Sequence, residues 1–236
     1  MATRIMCIAD IHGNRSRIVK CKEIAISSNI DTFLILGDFP GYGEFRDHNK
    51  SIEEIRSILN ILKDFEILAI PGNCDPRNAI RVFEEFNANL HENIRVIGNV
   101  SIAGLGGSGS TPFGTPFEME ESEIYNRLRN LVDRIETERF ILALHNPPFD
   151  TECDLIIDGV HIGSRSVRRI IEEFQPSLTL SSHVHESGGK KDRIGKTEIV
   201  NIGPLMNGKC AIIEINKEHN IRLMQIKNGN DRNSKQ

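Results

Sequence analysis

Short, unbroken apolar runs recur along the chain, and each gives way abruptly to polar residues. Ile5-Met6-Cys7-Ile8-Ala9, Thr32-Phe33-Leu34-Ile35-Leu36, Ile67-Leu68-Ala69-Ile70 and Phe140-Ile141-Leu142-Ala143-Leu144 have the length and continuity of strands buried on both faces. Leu178-Thr179-Leu180 reads the same way and runs on through Ser181-Ser182 to His183-Val184-His185. Helical spacing fills the intervals. Ile18, Cys21 and Ala25 predict a helix reaching about residue 28. Ser51-Ile52-Glu53-Glu54 has the form of a capping box before the stripe Ile52, Ile55, Leu59 and Leu62. A shorter helix is expected over residues 76–86, and a long one over 118–137 carrying Ile124, Leu128, Leu131, Val132 and Ile135. Val167, Ile170, Ile171 and Phe174 mark another, leading into the fifth run. Further strands are expected near residues 94–97, 101–103, 198–202, 210–215 and 221–226, with residues 188–196 as a polar hairpin tip. Alternating strands and helices imply a parallel α/β core. One domain is expected over residues 1–227, followed by a disordered polar tail at 228–236.

Composition narrows the picture by exclusion. A net charge of −4 with both signs interspersed gives no pointer to nucleic acid or to an anionic membrane. No apolar run reaches the length of a membrane span, and the residues from Met1 to Arg4 do not read as a signal peptide. The five cysteines are scattered and lack Cys-x-x-Cys spacing. They argue against a disulfide framework or a thiolate zinc site and for a reducing compartment, so a cytoplasmic location is expected.

The chemistry sits where the runs stop. Asp10 and His12 follow the first, Asp38 the second, Asn73 the third, His145 the fourth, and His183 and His185 the fifth. Each has an ordinary use on its own: a cap, a tight turn, a loop histidine. Jointly they are oxygen and nitrogen donors at the carboxyl ends of strands, where ligands bind in open α/β sheets. Two histidines at i, i+2 on an extended end would point into one pocket. Mixed carboxylate, amide and imidazole donors without thiolate suit Mn, Fe, Ni, Co or Zn. Seven are too many for one tetrahedral ion and suit two ions sharing a carboxylate.

The ordered series Asp10-Ile11-His12, Gly37-Asp38, Gly72-Asn73-Cys74-Asp75, His145-Asn146-Pro147-Pro148 and Ser182-His183-Val184-His185 resembles the calcineurin-like metallophosphoesterase superfamily. The segments around Thr111-Pro112-Phe113-Gly114-Thr115-Pro116-Phe117 and Asp158-Gly159-Val160-His161-Ile162-Gly163-Ser164 are similar to its Icc-related branch. The resemblance implies a four-layer α/β/β/α sandwich of two mixed sheets. It implies two divalent ions, one on Asp10, His12 and His185, the other on Asn73, His145 and His183, bridged by Asp38. Two positions depart from the pattern. Ser182 stands where glycine is usual and should only crowd the turn. Cys74 stands where phosphatases and nucleases of the superfamily carry a catalytic histidine, although some of its phosphodiesterases also have cysteine there.

The implied activity is hydrolysis of phosphate esters, phosphodiesters first, by a hydroxide bridging the two ions, with Asp38, Asn73 and His145 as catalytic residues. Cys74, His161 and Ser164 are candidate substrate contacts. Ser164 reads first as a helix N-cap, and the helix start it caps could receive a substrate phosphate. The Gly-, Ser- and Thr-rich stretch at residues 104–117 has the length of a binding loop or lid. The expected partner is a small phosphate ester or nucleotide, with no membrane; a homo-oligomer stays open. A nuclease on this scaffold would need a basic track, for which only Arg168-Arg169 and Lys190, Lys191, Arg193 and Lys196 offer themselves. A non-catalytic binding protein would be expected to lack ligands, and none is missing.

Overall fold

The first strand, β1 (Thr3–Ile8), shows how the layers stack. Met6 and Ile8 pack with Ile18, Ile55 and Leu59 from helices, whereas Ile5 and Cys7 pack with Ile102, Ile141 and Leu180 from a second sheet. Both faces are covered by apolar partners, so the alternation of a half-exposed strand is absent from the sequence. The computed structural model describes residues 3–216 and 218–227, and the tail expected to be disordered lies outside them.

One sheet adds β2 (Thr32–Ile35), β3 (Glu66–Ala69), β10 (Lys209–Ile215) and β11 (His219–Gln225), in the order β11-β10-β1-β2-β3. The other contains β4 (Ile94–Ile97), β5 (Val100–Leu105), β6 (Arg139–Leu144), β7 (Leu178–Ser181), β8 (Lys191–Ile194) and β9 (Thr197–Asn201), ordered β4-β5-β6-β7-β9-β8. The centres are parallel, β1-β2-β3 and β5-β6-β7-β9; β10 runs antiparallel to β1, and β4 and β8 are antiparallel edges. Helices α1 (Arg15–Ser27), α2 (His48–Leu62) and α3 (Ala79–Glu85) cover the first sheet, and α4 (Glu121–Val132) and α5 (Arg165–Phe174) the second. The architecture is the expected α/β/β/α sandwich. Just before β10, the N–H groups of Leu205 and Met206 donate to the carbonyls of Ala9 and Asp10, at 2.8 and 3.1 Å.

Several boundaries differ from the sequence expectation, each for a local reason. Helix α2 starts one turn earlier than the capping box suggested, because Asp47 accepts from the N–H groups of Asn49 and Lys50 at 3.2 Å. Ser51 then lies inside the helix, and Glu54 turns to Arg15 instead. Helix α4 begins three residues later than expected because Glu118 is held by Thr111 and Thr115. It ends at Val132, although Ile135 still packs on the same core. Residues 188–196 are more than a hairpin tip. Lys191–Ile194 pairs with β9, and the cations sit on an edge strand, where charge discourages further strand pairing.

Candidate metal centre

Every candidate donor lies just past the carboxyl end of a strand. In the first sheet these are Asp10 and His12 after β1, Asp38 after β2 and Asn73 after β3. In the second they are His145 after β6, and His183 and His185 after β7. Close approaches run across the seam between the sheets, and the His12 and His185 ring centres lie 5.4 Å apart. His185 Nε2 is 3.4 Å from Asp10 Oδ1, and Asp38 Oδ2 is 3.8 Å from His12 Nε2 and 3.6 Å from His145 Nε2. His145 Nε2 is 2.9 Å from Asn73 Oδ1, and its ring centre lies 5.0 Å from that of His183. Asp10, His12, Asp38 and His183 all adopt positive φ, a conformation that side chains with a Cβ rarely hold without surrounding support. The extended geometry expected of His183 and His185 is not found. Strand β7 stops at Ser181, His183 is left-handed, and His185 opens a short 3-10 turn. The two imidazoles reach the same cavity by a tight turn.

The donor atoms converge without protons to share. His145 Nδ1 is 2.7 Å from the carbonyl of Leu36, which can only accept, so Nδ1 carries the proton. In the neutral ring Nε2 then presents its lone pair to Asn73 Oδ1 and Asp38 Oδ2, both acceptors. His12 repeats the pattern, with Nδ1 3.3 Å from the Pro40 carbonyl and Nε2 buried without a hydrogen-bond partner. Asp10 Oδ1 is also buried and unpartnered. Lone pairs gathered in this way call for a cation. Geometrically, Asp10, His12 and His185 form one group able to hold an ion, and Asp10, Asp38 and His145 another. Burial, then the neighbouring His145, lowers the His183 pKa to about 4, leaving its ring neutral and able to ligate. Burial works against ionising Asp10, but the adjacent imidazoles, His185 foremost, outweigh it and bring its carboxyl well below the usual carboxylate range.

Residues around the donors fix their aim. Asp75 is fully buried and accepts the N–H groups of Gly72, Asp38 and Phe39 at 2.7, 2.8 and 3.1 Å, tying the ends of β2 and β3 together. Asp38 Oδ1 accepts from Cys74 N–H at 2.8 Å, which leaves Oδ2 for the centre. A side chain at Gly72 would place its Cβ 2.0 Å from Asp38 Oδ1, so only glycine fits. Ser182 does more than crowd its turn: its hydroxyl donates to Asp10 Oδ2, an interaction that glycine could not make. Asn73 Nδ2 donates to Thr115 Oγ1 at 3.0 Å, which turns Oδ1 toward His145. Tyr42, not foreseen from sequence, stacks on His12 with ring centres 4.0 Å apart, and its hydroxyl lies 3.1 Å from His185 Nδ1. The available signal was one of only two tyrosines falling four residues after Asp38.

His12, Asp38, Tyr42, Asn73, His183 and His185 line a cavity of about 900 Å³. The loop from Gly109 to Thr115 forms part of its wall, and Cys74 also lines it. Burial and the charges of Asp38 and Asp75 push the Cys74 thiol far up, so it stays neutral. His161 does not line the cavity. Its Nδ1 is 2.7 Å from Asp154 Oδ1, which anchors the loop before α5. Ser164 caps α5 by accepting from Val167 N–H at 3.1 Å. The start of that helix already holds an anion: Glu121 Oε2 accepts from Ser166 N–H at 2.6 Å and from the Ser164 hydroxyl at 3.0 Å. A substrate phosphate at this helix start is therefore displaced by a carboxylate of the chain itself. A smaller cavity of about 330 Å³, beside Arg4, Glu214 and Arg222, contains none of the candidate residues.

The fold and the donor set are those of a metal-dependent phosphoesterase. The profile of the calcineurin-like phosphoesterases matches residues 3–187, and the chain belongs to that family. An uncharacterized protein of Methanocaldococcus jannaschii is 35% identical over 206 residues, covering 85% of this chain and 88% of its own. A crystal structure from Thermus thermophilus superposes with a TM-score of 0.75 at 17% identity, covering 96% of this chain and 100% of that one. A dimetal phosphatase from Danio rerio gives 0.60 at 10% identity, with 95% of this chain and 99% of that one covered. At such identities the two structures speak for the fold. No helix among the described residues is long and apolar enough to cross a membrane.

Proposed function

We propose that the protein is a dinuclear metal-dependent hydrolase of small phosphate esters, with phosphodiesters preferred. The observation that carries this reading is the convergence of lone pairs at His12 Nε2, Asp10 Oδ1, His145 Nε2 and Asp38 Oδ2. Asp10, His12 and His185 would hold one ion and Asn73, His145 and His183 the other, with Asp38 Oδ2 between them. Divalent ions, manganese foremost, would supply Lewis acidity and a water of near-neutral pKa.

The chain's own residues do the positioning. The Leu36 carbonyl fixes the His145 tautomer, Thr115 orients the Asn73 amide, and Asp75 holds Asp38 in place. A neutral thiol at Cys74 is a weak proton donor, which favours esters whose leaving groups need little protonation, such as aryl phosphodiesters. Five buried free cysteines accord with a cytoplasmic setting. The Arg168-Arg169 pair gives little support to a nuclease, since Arg168 bonds Glu172 and the Phe149 carbonyl while Arg169 bonds Glu173. The test is hydrolysis of bis-p-nitrophenyl phosphate with Mn or Ni, alongside metal analysis expecting about two ions per chain. Absence of turnover with every divalent metal would refute the reading.

A further inference from the structure

The cavity over the metal centre has an apolar part to its lining beside the candidate donors: Tyr42, Phe45, Phe113, Met119, Ile156 and Ile162. Eight large hydrophobic side chains are exposed among the described residues. Tyr42, Phe113 and Ile162 line this cavity, and Ile157 and Val160 stand on the same short loop as Ile162. Only Val19, Ile26 and Val96 lie elsewhere. Three of the eight thus line the cavity and two more stand on the loop that contributes Ile162, a concentration that marks a binding surface.

Both apolar loop tips are held in place by hydrogen bonds. In one, Ile156 N–H donates to the Val160 carbonyl at 3.0 Å and Gly159 N–H to the Ile156 carbonyl at 2.9 Å. Its base is tied by buried Asp154, which accepts from Thr151 and Gly163 N–H groups and contacts His161. In the other, Phe113 N–H donates to Thr111 Oγ1 at 3.2 Å, and Glu118 binds Thr111 and Thr115. Phe113, 71% exposed, and Ile157, 89% exposed, are presented by these closed loops.

Charge in the wall points the same way. Besides the candidate donors, Arg46 is the cation lining the cavity, against the carboxylates of Glu120, Glu121 and Glu186. A second phosphate, as in a nucleoside diphosphate or a polynucleotide, would meet more negative than positive charge. An uncharged hydrocarbon group would meet apolar surface.

Resting on the phosphoester reading of the metal centre, we infer that the substrate carries a single phosphate and an apolar substituent, which lies against Phe113, Ile156 and Ile162. Full burial of a methylene strengthens binding about 4-fold, and a wall open on one side should give about 2-fold per methylene. The test uses methyl-, butyl- and octylphosphonate, which contain no ester to hydrolyse, titrated calorimetrically into the Mn-loaded protein. Over the seven methylenes between methyl and octyl, affinity should rise about 100-fold. Phe113→Ser and Ile162→Ser should each shrink that octyl-to-methyl ratio, and Val96→Ser, away from the cavity, should not. A flat series, an unchanged ratio in the two cavity variants, or tighter binding of a nucleoside diphosphate than of octylphosphonate would overturn the inference. A steep series in a protein that hydrolyses no ester would uphold the apolar subsite, with the compound a ligand in place of a substrate, while removing the hydrolase reading.

Discussion

Removing the Asp75 carboxylate tests what holds the metal centre's frame together. In Asp75→Ala, the N–H groups of Gly72, Asp38 and Phe39 lose their acceptor in a fully buried place. Each orphaned buried donor costs about 1–3 kcal/mol, and water entering the vacated space would rescue part of it, so the loss should be about 3–6 kcal/mol. That is a large share of the roughly 5–15 kcal/mol by which domains are stable. Asp75→Asn separates the contributions. One amide oxygen can still take the two bonds that Oδ2 accepts from Gly72 and Asp38, but the amide nitrogen meets Phe39 N–H as a second donor. Its loss should be about half that of alanine. Urea denaturation followed by circular dichroism at pH 7 gives both values, with Asp158→Ala on the exposed loop as reference. If Asp75→Ala unfolds within about 1 kcal/mol of wild type, Asp75 is not what ties these strand ends.

Three further outcomes are expected. Asp38→Asn should keep its fold by circular dichroism yet bind less metal and lose at least about 100-fold in turnover, because an amide offsets the repulsion of two cations poorly; near-normal turnover would contradict the bridging role. Cys74→His should raise the rate about 10-fold or more on alkyl leaving groups while changing p-nitrophenyl esters little, and an equal change on both would make Cys74 a packing residue. His91, whose Nδ1 accepts from Gly106 N–H at 3.0 Å, has its pKa lowered to about 4, chiefly by burial. The folded state therefore binds fewer protons than the unfolded state below about pH 6.5, and stability present above that pH is lost as pH falls toward about 4, by up to about 3 kcal/mol. His91→Gln should lack this increment of acid sensitivity in urea titrations at pH 7 and pH 4.5; parallel losses in both proteins would refute it.

The donors were legible in the sequence because buried strands are written as apolar runs, and a carboxylate or imidazole ending such a run stands out. The sandwich followed once those ends were read together with the family resemblance. What the sequence did not show depends on partners far away in the chain. Glu121 reads as a helix-start residue of α4, and only the packing of α4 on α5 places it over Ser166 N–H. Tyr42 lies in a loop without periodicity, and its stacking on His12 exists only in the folded chain. The Ser51-Glu54 capping box was locally sound but lost to a better cap at Asp47 and to Arg15, which draws Glu54 away. Strand β8 was hidden because an edge strand bearing Lys191, Asp192 and Arg193 resembles a loop in composition.

The C-terminal strands give the centre an order of assembly. All seven donors precede Pro204, yet the carbonyls of Ala9 and Asp10 are engaged by Leu205 and Met206, and β1 gains its second neighbour only with β10. A nascent chain that has extruded every donor still lacks the segment that braces Asp10. Ion capture should thus follow emergence of β10, once that strand has closed over the first.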